Sequence, residues 1–191
     1  SLTKWVSGVG DVLAGSIRLR KDSQFSDEFR EALEREVPGG SRLYYRDGDA
    51  LVRHASALRA RVTECNRNGL LVASFLTDQS EVSEVWYPAS TDREAYEAIR
   101  RPNGGFGGLI SFTLKEADKT AALYEAMQFC KGPSLGTDYT LLCPYTMLAH
   151  YREMAWARSC GVSEALLRFS VGREPEEVLL RRLKSAFSAL R

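Results

Sequence analysis

The sequence contains few of the residues from which metal sites and disulfide frameworks are built. Its four cysteines, at positions 65, 130, 143 and 160, are far apart, and its only histidines are His54 and His150. A zinc site needs about four closely grouped ligands, which this spacing does not supply. We therefore expect no metal site. Buried reduced thiols are the simpler interpretation of the cysteines, and they favour a reducing compartment such as the cytoplasm.

The sequence also has neither an excess of one charge nor a long apolar run. Lys and Arg total 26 against 25 Asp and Glu, so no net field attracts nucleic acid or an anionic membrane. No apolar run approaches the roughly 20 residues that cross a bilayer. The first residue is not Met, and no signal or transit peptide is recognisable. With 191 residues and 44% hydrophobic content, we expect one globular domain, or a domain and part of another.

The first third of the chain predicts one strand and one short helix. Residues 11–19 (DVLAGSIRL) form a compact apolar run typical of a buried strand. Residues 26–36 predict a charged helix with Phe29 and Leu33 on one face, ended by residues 38–40 (PGG).

A long helix follows from Asp49 to Leu76, where apolar side chains recur at helical spacing. Residues 66–69 (NRNG) could interrupt it. We assign three arginines, Arg53, Arg59 and Arg61, to the surface of this helix.

The remainder predicts a layered α+β arrangement. The order of elements is β-β-α-β-β-α, which is typical of a mixed or antiparallel sheet covered by helices. We place a domain boundary near residue 78, which gives domains 1–78 and 79–191. The predicted strands are 82–87, 109–114, 141–143 and 166–171, and the predicted helices are 116–129 and 176–190.

A glycine cluster at residues 104–108 (GGFGG) invites comparison with a phosphate-binding loop. It lacks the trailing Lys-Ser/Thr of such a loop, and it precedes a strand instead of opening a helix. We therefore interpret these glycines as permitting close backbone packing at a strand entry.

The first four residues, Ser1 to Lys4, combine two hydroxyls with an amine. In extended backbone, Ser1 and Thr3 would point to one side and Lys4 to the other. Two neighbouring hydroxyls can donate to a phosphate while a lysine reaches a reactive carbonyl of the same cofactor. The alternative is an ordinary solvated terminus.

Arg168 lies within an apolar strand, residues 166–172 (LLRFSVG). Burying an arginine is unfavourable unless an anion meets it, and its planar fork suits a carboxylate. Three interpretations stay open: Arg168 binds a substrate, faces solvent, or pairs with an internal Asp or Glu.

Four blocks of sequence, in order, resemble the Cys/Met-metabolism family of pyridoxal-phosphate enzymes, which includes cystathionine γ-synthases and lyases. They are residues 1–5 (SLTKW) with Gly8 and Asp11-Val12, residues 105–112 (GFGGLISF), residues 134–136 (SLG) and residues 167–172 (LRFSVG). Residues 131–133 (KGP) and 144–150 (PYTMLAH) are most similar to fungal-type cystathionine γ-synthases. Two positions depart from the family pattern, because Trp5 replaces the usual Tyr and Val9-Gly10 replace His-Ser.

The resemblance implies a role for each matched residue. Lys4 would form a Schiff base with pyridoxal 5'-phosphate, and Ser1 and Thr3 would hold its phosphate. Arg168, assisted by Ser134, would bind the α-carboxylate of an amino-acid substrate. Lys4 and Arg168 must then lie close together in the fold.

The resemblance also implies a fold and a reaction. The expected fold is the end of a fold-type I large domain, which is α/β, followed by a small C-terminal α+β domain with a mainly antiparallel sheet. The expected activity is γ-replacement on an O-acylhomoserine by cysteine or another thiol, giving cystathionine. The alternatives are β- or γ-elimination of cystathionine or methionine, or a non-catalytic fragment that oligomerises with a full-length homologue.

In this family, other cofactor contacts lie upstream of the lysine. We therefore expect this chain to be part of a longer protein, inactive by itself, and the complete protein to be a homo-oligomer, either a dimer or a tetramer.

Overall fold

A five-stranded mixed sheet forms the centre of the molecule, as given by a computed structural model that describes residues 1–39 and 42–190. The order across the sheet is β1-β2-β5-β4-β3. All neighbours are antiparallel except the short parallel pair β3–β4, so the expected, mainly antiparallel sheet is confirmed. The strands are β1 (Val82–Trp86), β2 (Leu109–Leu114), β3 (Cys130–Lys131), β4 (Leu141–Pro144) and β5 (Leu167–Ser170).

Helices precede, connect and follow the strands, and the longest of them leads directly into β1. Short 3₁₀ turns precede α5 and α7. The helices are α1 (Ser26–Glu36), α2 (Tyr45–Ala55), α3 (Leu58–Thr77), α4 (Arg93–Ile99), α5 (Thr120–Ala126), α6 (Tyr145–Ala149), α7 (Met154–Ser159) and α8 (Glu176–Ser188).

The main core lies between the sheet and helices α3, α5 and α8. Phe112 of β2 and Phe169 of β5 are fully buried and stack with their ring centroids 5.7 Å apart. Leu179 and Leu183, one turn apart on α8, are also fully buried. Each such side chain contributes roughly 1.5–3 kcal/mol by leaving water. This core fixes β5, the strand that carries Arg168.

The C-terminal predictions hold better than the N-terminal ones. Strands β1, β2, β4 and β5 and helices α1 and α8 lie where the sequence predicts them. The predicted helix 116–129 is shorter, and β3, α6 and α7 were not predicted. The sequence predicts that residues 38–40 end the first helix; α1 ends at Glu36, and residue 40 lies outside the described residues.

The predicted strand at residues 11–19 is wrong. This segment has no regular secondary structure and is not part of the sheet. A strand exists only where a neighbour supplies a ladder of hydrogen bonds. Here the bonds from Leu2 and Thr3 converge on a single carbonyl, that of Ala14.

The long helix is broken at a different place from the one considered. Helix α2 ends at Ala55 and α3 starts at Leu58, whereas residues 66–69 are regular helix. At the break the amide of Ala57 donates to the carbonyl of His54, three residues earlier, which tightens the turn.

The division into domains 1–78 and 79–191 stays a prediction. The second half of α3, which includes Val72, Ala73 and Leu76, packs into the same core as the sheet. A smaller cluster of Val12, Ala50 and Leu51 joins the N-terminal segment to α2.

Candidate active site

The lysine segment is a compact turn. It is not the extended backbone in which Ser1 and Thr3 would point to one side and Lys4 to the other. The amide of Ser7 donates to the carbonyl of Leu2 at 3.0 Å, and that of Gly8 donates to the carbonyl of Lys4 at 2.8 Å. Gly8 has a φ of +76°, in the left-handed region that glycine adopts without strain. The backbone therefore turns directly after the lysine.

Lys4 and Arg168 meet at Ser134, although 164 positions separate them. The Nζ atom of Lys4 donates to the Oγ atom of Ser134 at 3.0 Å. The Nη2 atom of Arg168 donates to the carbonyls of Pro133 and Ser134, at 2.6 and 3.1 Å. The proximity that the resemblance requires is therefore present.

A glycine in the loop that carries Ser134 allows this close approach. Gly136 has a φ of +75°, and a Cβ atom there would lie 2.7 Å from the backbone nitrogen of Trp5. Its amide donates to the hydroxyl of Ser170 in β5 at 2.9 Å. The loop is thus fixed between the lysine segment and the strand of Arg168.

The guanidinium of Arg168 is half-buried and has an unused donor. Its carbon Cζ lies 5.3 Å from the centre of the Tyr145 ring, a cation–π contact that restricts its orientation. Within the part of the chain that the structure describes, the buried Nε has no hydrogen-bond partner. A buried donor without a partner is unfavourable by about 1–3 kcal/mol, so this atom is suited to an anionic ligand. Among the residues that the structure describes, the hydrogen-bond partners of this guanidinium are backbone carbonyls and not an internal acid.

The hydroxyls of Ser1 and Thr3, which are expected to bind a phosphate, differ in exposure and in hydrogen bonding. Ser1 is exposed. The Thr3 hydroxyl donates to the carbonyl of Ala14 at 3.2 Å and accepts from the Ala14 amide at 2.9 Å. To donate to a phosphate, Thr3 would have to give up the first of these bonds. The phosphate-binding role of both residues stays a prediction.

The prediction that Arg61 lies on the surface is wrong, because its side chain is almost fully buried, with 1% of the residue exposed. Its Nε atom donates to the Oδ1 atom of Asp138 at 2.8 Å. The signal was in the sequence, since Arg61 shares the spacing of Cys65, Val72 and Leu76, all buried on the same stripe of α3. A charged residue in register with an apolar stripe indicates a buried ion pair.

Asp138 belongs to a chain of ion pairs that continues to α3. Arg173 contacts Asp138 at 3.3 Å and Glu64 at 2.8 Å. Burial raises the pKa of Asp138, but the hydrogen bonds from Arg61 and Arg173 outweigh it, and the pKa lies below its usual value. The hydrogen bond from Arg173 likewise lowers the pKa of Glu64. Both carboxylates are therefore charged at neutral pH.

The glycine cluster 104–108 packs closely, as expected, and lines a cleft of about 570 Å³ with Trp5 and Asn66. A Cβ atom on Gly105 would lie 2.3 Å from Asn66. Neither Lys4 nor Arg168 lines this cleft.

In residues 1–39 and 42–190, no three His, Cys, Asp or Glu side chains are grouped to hold a metal ion. No helix in these residues is long and apolar enough to cross a membrane.

A family model described as "Cys/Met metabolism PLP-dependent enzyme" matches residues 1–188. The chain belongs to this family. The cystathionine gamma-synthase of Neurospora crassa is 36% identical over 181 residues, which cover 94% of this chain and 29% of that protein. The cystathionine gamma-synthase of Saccharomyces cerevisiae is 33% identical over 186 residues, with 94% and 29% covered. The chain thus spans less than a third of the length of these relatives. The family match confirms the resemblance to the Cys/Met-metabolism family that the four sequence blocks indicate.

Solved structures of this Cys/Met-metabolism type share the fold. Cystathionine gamma synthase from Xanthomonas oryzae pv. oryzae, in complex with aminoacrylate and cysteine, superposes with a TM-score of 0.84 at 25% identity, covering 99% of this chain and 49% of that chain. The same enzyme in complex with cystathionine gives 0.83 at 27%, with the same coverage. The predicted fold class is confirmed, and pyridoxal phosphate is the cofactor of the family.

Proposed function

We propose that the complete protein carrying these residues catalyses γ-replacement on an O-acylhomoserine. The Cγ–O bond breaks and releases the acyl group as a carboxylic acid, and a thiol, such as that of cysteine, forms the new Cγ–S bond to give cystathionine. The observation that supports this most directly is the meeting of Lys4 and Arg168 at Ser134. An amine and a guanidinium at this separation can address the two ends of one amino acid.

Lys4 is the proposed attachment point and proton carrier. Among the described residues its amine forms no ion pair, and its hydrogen bond goes to the neutral hydroxyl of Ser134. The amine is therefore not committed to a carboxylate. Pyridoxal phosphate held through Lys4 would supply the electron sink for the reaction. When the substrate amine displaces it, the Lys4 amine would take the Cα proton as a base and return a proton as an acid.

Arg168 is the proposed site for the substrate carboxylate. Its unpartnered Nε offers a charged donor that a carboxylate would satisfy, while Nη2 is held by the Ser134 loop. Because the carbonyl bonds and the Tyr145 ring fix the guanidinium, a bound carboxylate would have one orientation. A fixed carboxylate directs the Cα–H bond toward the Lys4 amine, which is a gain of orientation.

Lys4→Ala in the complete protein tests the attachment. We expect loss of the near-ultraviolet or visible absorbance of the lysine-bound cofactor and loss of cystathionine formation from O-succinyl- or O-acetylhomoserine plus cysteine. Lys184→Ala, on the exposed side of α8, is the matched control and should keep both. Persistence of the band in Lys4→Ala would refute the assignment.

Elimination is the second candidate reaction. A relative named L-methionine gamma-lyase, from Fusobacterium nucleatum, is 29% identical over the whole of this chain. Elimination needs no incoming thiol, so the two reactions differ in their products. Cystathionine formed only when cysteine is present supports replacement, whereas a 2-oxo acid and ammonia formed without a thiol support elimination.

We also propose that the 191 residues by themselves are inactive, and that the complete protein is a homo-oligomer. A cofactor titration, a turnover assay and size-exclusion chromatography on the isolated chain test this. Turnover by the isolated chain would contradict the first statement. Association with a full-length homologue without turnover would support the alternative of a non-catalytic module.

We propose a cytoplasmic location for the complete protein. All four cysteines lie in the described part of the chain and are free thiols, which suits a reducing compartment. Fractionation of the native cells with an antibody to the protein tests this location.

A further inference from the structure

Arg61 is a buried cation whose partners lie in the lysine segment and in the loop of Ser134. Removing a guanidinium from water is unfavourable unless hydrogen bonds and a counter-charge replace the water. Asp138 supplies the counter-charge through both carboxylate oxygens, at 2.8 and 3.5 Å. The carbonyls of Trp5 and Val6 accept from Nη1, at 3.0 and 3.3 Å.

These bonds hold the backbone on the C-terminal side of Lys4. Trp5 follows the lysine directly, and the amide of Asp138 donates to the carbonyl of Gly8 at 2.6 Å. The lysine segment is therefore held at three carbonyls, those of Trp5, Val6 and Gly8, the first two by Arg61. Asp138 lies four residues after Ser134, so the same guanidinium also ties down the loop that contacts the Lys4 amine.

Gly8 makes room for this arrangement. A Cβ atom on Gly8 would lie 2.0 Å from the Nε of Arg61, so only glycine lets the turn close over the guanidinium. The side chain of Lys4 has four flexible methylenes, and in residues 1–39 and 42–190 its one hydrogen-bond partner is Ser134. The accuracy with which its amine is placed must therefore come largely from the backbone.

We infer that Arg61 is a positioning residue for Lys4: it sets the backbone from which the amine reaches the cofactor and the substrate Cα. The inference rests on the function proposed for Lys4. A displacement of about 1 Å can lower the rate of an enzymatic reaction by about 10²-fold even when the change lies away from the chemistry.

Arg173 is a matched control for a merely structural role. It shares Asp138 with Arg61 and adds an ion pair to Glu64. Its side-chain partners do not include the lysine segment. Loss of Arg173 should therefore weaken the same ion-pair chain without moving Lys4.

The experiment compares Arg61→Met, Arg61→Lys and Arg173→Met in the complete protein supplied with pyridoxal phosphate. Borohydride reduction followed by peptide mass spectrometry measures the fraction of cofactor linked to Lys4. Steady-state kinetics separate kcat from KM, and thermal unfolding reports stability.

For Arg61→Met we expect a lower linked fraction and a fall in kcat of about 10²-fold, with the KM of the amino acid little changed because Arg168 is intact. Arg61→Lys keeps the charge and should restore part of the linkage; it also carries the test if Arg61→Met does not fold. Arg173→Met should lower the melting temperature and leave the linked fraction near that of the wild type.

The inference is overturned if both Arg61 variants keep the wild-type linked fraction, or if Arg173→Met lowers it as much as Arg61→Met does. If the wild type itself carries no cofactor on Lys4, the proposed function fails, and the inference fails with it. The two failures are therefore distinguishable.

Discussion

Replacing Gly8 with alanine tests whether the turn after Lys4 is closed against a rigid side chain. The new Cβ atom would lie 2.0 and 2.1 Å from the Nε and Cζ atoms of Arg61. A flexible side-chain end could move aside, but this guanidinium is held by Asp138 and by the carbonyls of Trp5 and Val6. The substitution should therefore force either the turn or the ion pair out of place.

The expected loss of unfolding free energy in Gly8→Ala has two contributions. An L-residue in the left-handed region is less stable than glycine by about 1–2 kcal/mol. Forcing extra volume into a filled site adds about 1–3 kcal/mol. We expect Gly8→Ala to lower the free energy of unfolding by about 2–5 kcal/mol, the sum of these two contributions.

Gly10→Ala is the matched control. Gly10 has a similar φ of +81°, but a Cβ atom there would only approach the Tyr139 hydroxyl, at 3.4 Å. It should show the backbone contribution alone, about 1–2 kcal/mol. In an Arg61→Ala background the clash disappears, so Gly8→Ala should then lower the free energy of unfolding by about as much as Gly10→Ala does.

Urea denaturation followed by tryptophan fluorescence measures these differences, because Trp5 lies in the turn itself. Equal losses of unfolding free energy for Gly8→Ala and Gly10→Ala in the native background would refute a clash between Gly8 and Arg61. The clash would also be refuted by strictly additive effects of Gly8→Ala and Arg61→Ala, since residues in contact should be coupled.

Two further predictions concern charged groups of the site. Arg168→Lys should raise the KM of the amino-acid substrate by about 10- to 100-fold, because a hydrogen bond to a charged group contributes about 1.5–3 kcal/mol; steady-state kinetics with an unchanged KM would contradict a carboxylate role. Asp138→Asn should lower the free energy of unfolding at neutral pH by about 3–5 kcal/mol, because Arg61 is left buried without its counter-charge. The pKa of Asp138 is lowered by folding, so below its ordinary value of 3.8 the unfolded chain binds the proton more readily than the folded one. Its stabilisation is then present above about pH 5 and is lost as pH falls through the lowered pKa. Denaturation at a series of pH values should show a shallower acid loss in Asp138→Asn than in the wild type, whereas Asp118→Asn, an exposed control, should keep the wild-type slope.

The C-terminal fold could be predicted because its local patterns and its packing agree. In β2 the buried Ile110 and Phe112 flank the half-buried Ser111, and in β5 the buried Leu167 and Phe169 flank the half-buried Arg168. Helix α8 presents Leu179 and Leu183 to the same core. Residues 11–19 have a similar apolar content, but a strand also needs hydrogen bonds from a neighbouring strand. A single sequence does not show whether that neighbour is present, and Leu13 and Ile17 are exposed here.

The sequence predicted the reactive and ligand-binding residues of the site, but not how the fold brings them together. Lys4, Ser134 and Arg168 could be named from short blocks of sequence, but their contact could not be derived from a spacing of 130 and 34 residues. The role of Arg61 was missed because an arginine at helical spacing was assigned to the surface by its charge alone. The register of the buried stripe of α3 was the better guide, since it includes position 61.

The glycines of the chain explain how distant segments come together at this site. Gly8 lets the lysine turn close on Arg61, and Gly136 brings the Ser134 loop against the backbone of Trp5. Gly172, two residues after the end of β5, lies where a Cβ atom would be 2.4 Å from the backbone of Tyr139 in the same loop. Each contact is between backbones or with a fastened side chain, so none can be relieved by a rotamer change. The distance between the Lys4 amine and the Arg168 guanidinium is therefore set by backbone packing at these glycines, while the ion pairs of Asp138 keep the packed segments from separating.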